Sequence, residues 1–266
     1  MLRDSLVKLR VPQALDAFSR YYFQLDIIGK ENLSLLRDQQ AMLVMNHTAF
    51  FALECYLLGS NLLSSYPDLD LRTLVWKGFS EGPARAWFKN IGCETASIQN
   101  GHSLLEAGKT VLIMPEGIDA TDVRNRMNTF HTGYLRVLQK KRVPIIPIGF
   151  HGIDQSIPWI VAHNKTLEKK FMKPVNPNFD FLLLPKVPIF RPTKVVFKIG
   201  APIHLADKDM ASEAALNATN ERIKTTVSLL VDEAEQYRKE RITQSRPNRL
   251  FHKLVEGKIS HLNKRR

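Results

Sequence analysis

Five short runs in this chain are wholly or nearly apolar, and they restrict its fold more than any other feature. They cover residues 41–45 (AMLVM), 73–76 (TLVW), 110–114 (TVLIM), 144–150 (PIIPIGF) and 194–199 (KVVFKI). A strand with one wet face alternates apolar and polar residues, whereas a strand covered on both faces has no need to. Between the runs lie segments with apolar residues at helical spacing, at 53–63, 83–91, 100–107 and 133–140. Buried strands alternating with helices predict an α/β domain built on a mixed, largely parallel sheet flanked by helices. A long amphipathic helix is expected over 210–238, with Ile223, Val227, Leu230, Val231 and Ala234 on one face. Residues 154–192 hold six of the fourteen prolines and read as a long irregular insertion.

Ahead of the first run, Leu2, Leu6, Leu9, Leu15, Phe18 and Tyr22 recur at helical spacing around Pro12, with Arg3, Lys8, Arg10 and Arg20 between them. Residues 1–25 are therefore expected to form an N-terminal amphipathic helical element, suited to packing on the domain or to resting in a membrane interface. Residues 26–240 then form the main domain, and 241–266 a basic tail in which eight Lys and Arg accompany Glu256 alone. That tail carries much of the formal net charge of +12, which suits an anionic partner. No basic-aromatic sheet or recognition-helix pattern accompanies the charge, which argues against nucleic acid. An anionic membrane surface fits better, at about 1 kcal/mol per basic residue near it. No run approaches the roughly 20 apolar residues that span a bilayer, and the first residues lack the continuous apolar core of a signal peptide. Cys55 and Cys93 have no metal-ligand spacing and call for no oxidising compartment. The expected location is cytoplasmic and peripheral on a membrane.

Chemistry is concentrated at two strand ends. Met45-Asn46-His47-Thr48 follows the first run, and Glu54 is the only carboxylate in the apolar stretch beyond it. Ligands of α/β sheets bind at the carboxyl ends of parallel strands. A neutral imidazole is a good base near neutral pH, and an adjacent carboxylate fixes its tautomer and stabilises the imidazolium. Seven residues along a straight helix separate Cα atoms by roughly 10.5 Å, so His47 and Glu54 meet only if the chain turns before the helix begins. By themselves they fit a capping histidine and a lone helix-edge glutamate equally well. In the second segment, Pro115 ends a strand, Gly117 permits a tight turn, and Glu116 is presented between them. Alone, that turn fits an ordinary surface loop. Gly78-Phe79-Ser80-Glu81-Gly82 spells a nucleophile elbow, which makes Ser80 a rival nucleophile for a serine hydrolase. A non-catalytic lipid-binding protein is the other rival.

Together the two segments resemble the glycerolipid acyltransferase family, of the lysophosphatidic-acid acyltransferase type. Its members carry an Asn-His…Asp block after a first strand and Phe-Pro-Glu-Gly after a later one; here Met114 replaces the Phe. The resemblance spans about residues 26–205. It takes in the lead-in at 26–33, the run-up at 91–93 and 104–108, the apolar-Pro strand at 143–148 and the closing strand at 199–203.

The resemblance implies transfer of an acyl group from acyl-CoA or an acyl carrier protein to a lipid acceptor, with no covalent enzyme intermediate, metal or cofactor. It makes His47 the catalytic base and Glu54 its acid partner. It assigns substrate binding to Asn46, Thr48, Pro115, Glu116, Gly117, Arg124 and Arg126, with backbone amides near Gly117 receiving the oxyanion. His131 lies where the resemblance places residues near the acceptor and equally fits a structural polar contact; His151 follows a buried strand, which allows it to line the same pocket or serve the core alone. Two departures stand out. The commonest family spacing would put the acid at Ala52, and the later Glu54 looks more like a branch resembling diacylglycerol and phytyl-ester synthases. Members acting on glycerol phosphates carry an Arg in the second block and Thr-Arg-Ser after Pro-Glu-Gly. This chain has Ser97-Ile98-Gln99-Asn100 and Ile118-Asp119-Ala120 instead. Without those guanidinium forks the implied acceptor is neutral or zwitterionic, such as an alcohol or a mono- or diacylglycerol.

Overall fold

The computed structural model describes residues 10–47, 53–81, 85–117, 127–156, 159–162, 165–167, 169, 182–185 and 192–244. Seven strands form one sheet. Its order is β1 (Asp26–Ile28), β9 (Val196–Ile199), β6 (Ile145–His151), β2 (Met42–Met45), β5 (Thr110–Ile113), β3 (Leu71–Val75) and β4 (Cys93–Thr95). From β6 to β4 neighbouring strands are parallel; β9 runs antiparallel to β6, and β1 follows β9. The mixed, largely parallel sheet expected from the apolar runs is the fold. Each run forms a strand. β1 and β4 were not legible as strands because they are three residues long and only half-buried.

β2 lies at the centre and has no exposed surface at Met42, Leu43, Val44 or Met45. Its side chains alternate between two apolar layers. Leu43 and Met45 pack with Leu57, Leu58 and Leu62 of α2 (Leu53–Ser65) and with Phe23, Leu33 and Leu36. Met42 and Val44 pack with Leu104 and Leu105 of α5 (Ile98–Glu106), with Tyr134, Leu135 and Leu138 of α6 (Gly133–Lys140), and with Ile223 and Val227 of α7 (Glu213–Gln244). Two short helices, α3 (Lys77–Ser80) and α4 (Arg85–Asn90), join β3 to β4. α7 starts later than its sequence pattern because the Ser212 hydroxyl accepts from the Ala215 amide, 3.1 Å, and ends the preceding turn. It lies directly on β6: a Cβ on Gly149 would stand 2.4 Å from the Leu230 carbonyl carbon.

Two expectations change. The insertion is not wholly irregular, because β7 (Trp159–Ala162) pairs antiparallel with β8 (Leu182–Pro185). Those apolar tetrads are too short to stand out among the surrounding prolines. The N-terminal helix α1 (Val11–Tyr22) begins at the expected proline, with Pro12 in its first turn, but the face it turns inward is not the expected one. Its inward face is the polar one: Asp16 and Ser19 are buried, and Asn61 of α2 donates to Asp16, 2.9 Å. Leu15, Phe18 and Tyr21 remain 48, 50 and 86% exposed. Residues 1–9 and 245–266, including most of the expected basic tail, lie outside the described residues. Among the described residues, no helix is long and apolar enough to cross a membrane.

The connection out of β2 leads to α2 on one face of the sheet, and the helix reached after β5, α6, lies on the other. Neighbouring parallel strands whose connections diverge in this way open a crevice at their carboxyl ends. His47 and the Pro-Glu-Gly turn stand at those two ends.

Candidate active site

His47 leaves β2 in non-helical backbone, and its ring turns back to the first turn of α2. There Nδ1 makes a short hydrogen bond with Glu54 Oε1. The pairing that seven residues of straight helix would forbid is therefore made. Glu54 has no exposed surface, and its other oxygen has no hydrogen-bond partner among the described residues. With Nδ1 engaged, Nε2 is the nitrogen left for a substrate, on a side chain that is 15% exposed.

Two braces hold His47 in place. Asn46 donates to the Phe150 carbonyl, 3.2 Å, and accepts from the Phe150 amide, 2.9 Å, tying the end of β2 to the end of β6. Glu116, with no exposed surface, accepts from the His47 amide at 2.7 Å and from the Asn128 amide at 2.7 Å. Both residues were expected to contact substrate; the contacts they make here are to backbone, which makes them anchors of the site. Pro115 is buried, and its carbonyl accepts from the His131 amide, 2.9 Å. Gly117 adopts the left-handed conformation expected of the turn (φ +62°), but its amide donates to the Met114 carbonyl at 3.1 Å. The His47 and Gly117 amides are thus already engaged within the protein. Thr48, Arg124 and Arg126 lie outside the described residues, as do 118–120.

The charges around the ring are acidic. Burial disfavours the imidazolium, but Glu54, and to a lesser degree Glu116 and Asp154, outweigh it and hold the His47 pKa above its ordinary value. Burial likewise pushes Glu116 up to about 7, against the two amides it accepts from and the nearby imidazole. Asp154, on the short turn Asp154–Ser156 after β6, carries no motif that marks it in the sequence. The available signal was an acid just beyond a strand paired with the one that carries His47.

Apolar side chains follow Glu54 along the chain. Cys55 Sγ lies 3.7 Å from Met114 Sδ, and burial raises its thiol well above the usual range. The Tyr56 ring of α2 and the Trp87 ring of α4, 39 and 49% exposed, stand 6.2 Å apart. Ser80 is not built as a nucleophile. It closes the short helix α3 without the strained elbow backbone, and its hydroxyl meets Thr95 Oγ1 at 2.8 Å, not an imidazole. Among the described residues no three His, Cys, Asp or Glu side chains are placed to hold a metal ion.

The sequence matches the family model described as Acyltransferase over residues 24–151, a span that includes His47, Glu54 and Glu116. No curated protein matches the chain. Among solved structures it is similar to the crystal structure of the 1-acyl-sn-glycerophosphate (LPA) acyltransferase, PlsC, from Thermotoga maritima. The TM-score is 0.54 at 18% identity, covering 85% of this chain and 82% of that one. At that identity the likeness is one of fold.

Proposed function

We propose that this chain, a member of the glycerolipid acyltransferase family, moves a fatty acyl group from an acyl thioester to a hydroxyl of a glycerolipid or other lipid-like alcohol. CoA or an acyl carrier protein bears the donor thioester. The acceptor is neutral or zwitterionic, and His47 is the general base. The observation that carries this reading is the buried contact between His47 Nδ1 and Glu54 at the carboxyl edge of the sheet.

In this account Nε2 takes the acceptor's hydroxyl proton as the oxygen attacks the thioester carbonyl. A carbon–oxygen bond forms, the tetrahedral intermediate collapses, the carbon–sulfur bond breaks, and the imidazolium returns the proton to the leaving thiolate. Glu54 fixes the tautomer and stabilises the imidazolium while the charge exists. Glu116 and Asn46 keep the ring's backbone still, which matters because small misplacements of a catalytic group are costly in rate. The half-exposed Tyr56 and Trp87 rings suit contact with an acyl chain.

The chemistry belongs at a membrane surface. The outward residues Leu15, Phe18 and Tyr21 of α1, beside Arg10 and Arg20, suit shallow insertion into an interface. The missing phosphate-binding arginines support a neutral acceptor. Purified protein assayed with acyl-CoA tests the reading: ester formation on a mono- or diacylglycerol supports it. A clear preference for lysophosphatidic acid ends the neutral-acceptor part, and no transfer to any hydroxyl ends the whole.

A further inference from the structure

α4 has six residues, and none of them is buried. A helix that short is marginal in water by itself, and helices in folded proteins are held chiefly by burying one face. α4 nonetheless carries two large aromatic side chains. The half-exposed Trp87 ring stands 6.2 Å from that of Tyr56 on α2 and meets that of Phe88 edge-on at 5.0 Å. Arg85 and Lys89, four residues apart, share one side of the helix, and Trp87 stands on the other. Both cations are exposed, and neither makes an ion pair among the described residues. The acid that precedes α4, Glu81, lies 3.5 Å from the Thr95 hydroxyl.

We propose that α4 is a second membrane contact, which seats the catalytic end of α2 on an anionic lipid bilayer. The inference rests on the membrane-surface reading above and adds a site to it. Cations on one side and an aromatic ring on the other are the division that lets a helix lie in an interface. The ring enters among acyl chains, and the long cationic side chains reach the headgroup phosphates. Tryptophan suits that depth because its body is apolar and its N–H wants a polar partner. The position of α4 gives the contact its use. α2 touches α1 through Asn61 and α4 through Tyr56, five residues or roughly 7.5 Å apart along the axis. Tyr56 is two residues beyond Glu54. The contact at α4 therefore sets the end of α2 that carries Glu54 toward the lipid that holds the acceptor.

The test uses the purified full chain with vesicles of phosphatidylcholine and phosphatidylglycerol. Arg85→Gln combined with Lys89→Gln is expected to weaken sedimentation with these vesicles by about thirtyfold at low salt, the usual effect of two basic residues at such a surface. Turnover of a soluble short-chain acceptor without lipid stays at the wild-type value in that variant. Trp87→Ala weakens sedimentation by about tenfold or more. Brominated acyl chains quench more tryptophan fluorescence in the wild type than in Trp87→Phe. The inference is overturned if that difference in quenching is absent, or if the cation variant sediments like the wild type. It is also overturned if the cation variant raises KM for acyl-CoA in the absence of lipid, because α4 then serves the donor. Loss of sedimentation in the double change Leu15→Ser and Phe18→Ser, but in none of the α4 variants, overturns this inference alone. A wild type that does not sediment with anionic vesicles overturns the membrane-surface reading, and this inference with it.

Discussion

Replacing Glu54 with Gln keeps the side chain's size and removes its charge from a contact with no exposed surface. The neutral ground-state ring senses that charge only weakly, whereas the imidazolium formed during proton transfer senses it fully. Two unit charges about 4 Å apart at an effective dielectric near 20 interact by about 4 kcal/mol. The amide oxygen still accepts from Nδ1–H, a neutral bond worth about 1 kcal/mol. Roughly 3 kcal/mol of transition-state stabilisation is lost, or about two orders of magnitude in kcat. The assay is initial-rate thioester transfer across a pH series. Glu54 is what lifts the His47 pKa against burial, so the base is protonated and idle below that raised value. In Glu54→Gln burial prevails, the pKa falls, and the acid limb moves to lower pH while the plateau drops. The stability linkage has a matching sign: a raised histidine pKa stabilises the fold below its ordinary 6.5 and ceases to as pH rises through the raised value. Glu54→Gln is thus more destabilising near pH 6 than near pH 9. A kcat within about threefold of wild type (less than 1 kcal/mol), or an unmoved acid limb, refutes the reasoning.

Glu116→Gln turns one amide group against a backbone N–H that a carboxylate now satisfies. The expected cost is about 1–3 kcal/mol in denaturant unfolding, together with a fall in kcat because the His47 backbone loses its anchor. Asn46→Ala strands the Phe150 amide and carbonyl in a buried setting, and a loss of about 3 kcal/mol is expected in the same measurement. The double change Leu15→Ser and Phe18→Ser removes apolar surface from the outer face of α1. It should weaken sedimentation with anionic vesicles while leaving the melting temperature and turnover of a soluble short-chain acceptor unchanged.

The sheet was legible because its inner strands are covered on both faces, which leaves a continuous apolar signature at 41–45 and 144–150. β1 and β4, at the margins, have no such requirement and left no such signature. The partnership of His47 with Glu54 was legible only as residue types: spacing along a straight helix held the two apart, and only the folded chain brings them into contact. The roles of Asn46 and Glu116 were hidden for a different reason. A polar residue beside a catalytic one reads as a ligand contact, and only the position of the Phe150, His47 and Asn128 backbones shows that they hold the chain. α1 reverses the usual assumption that apolar residues on an amphipathic helix face the protein. Its Asp16–Asn61 bond lets the polar side pack, and no periodicity argument separates that case from the ordinary one.

The central claim, that the imidazole at the end of β2 is the base of a direct acyl transfer, is tested by single-turnover ester formation from acyl-CoA and a neutral acceptor in His47→Ala. A loss of about 100- to 10,000-fold is predicted in the folded variant, assayed below its lowered melting temperature, with no acylated protein trapped at Ser80 or elsewhere. Ester formation within about tenfold of wild type, below the range of general-base catalysis, or a covalent acyl-enzyme in either protein, would contradict it.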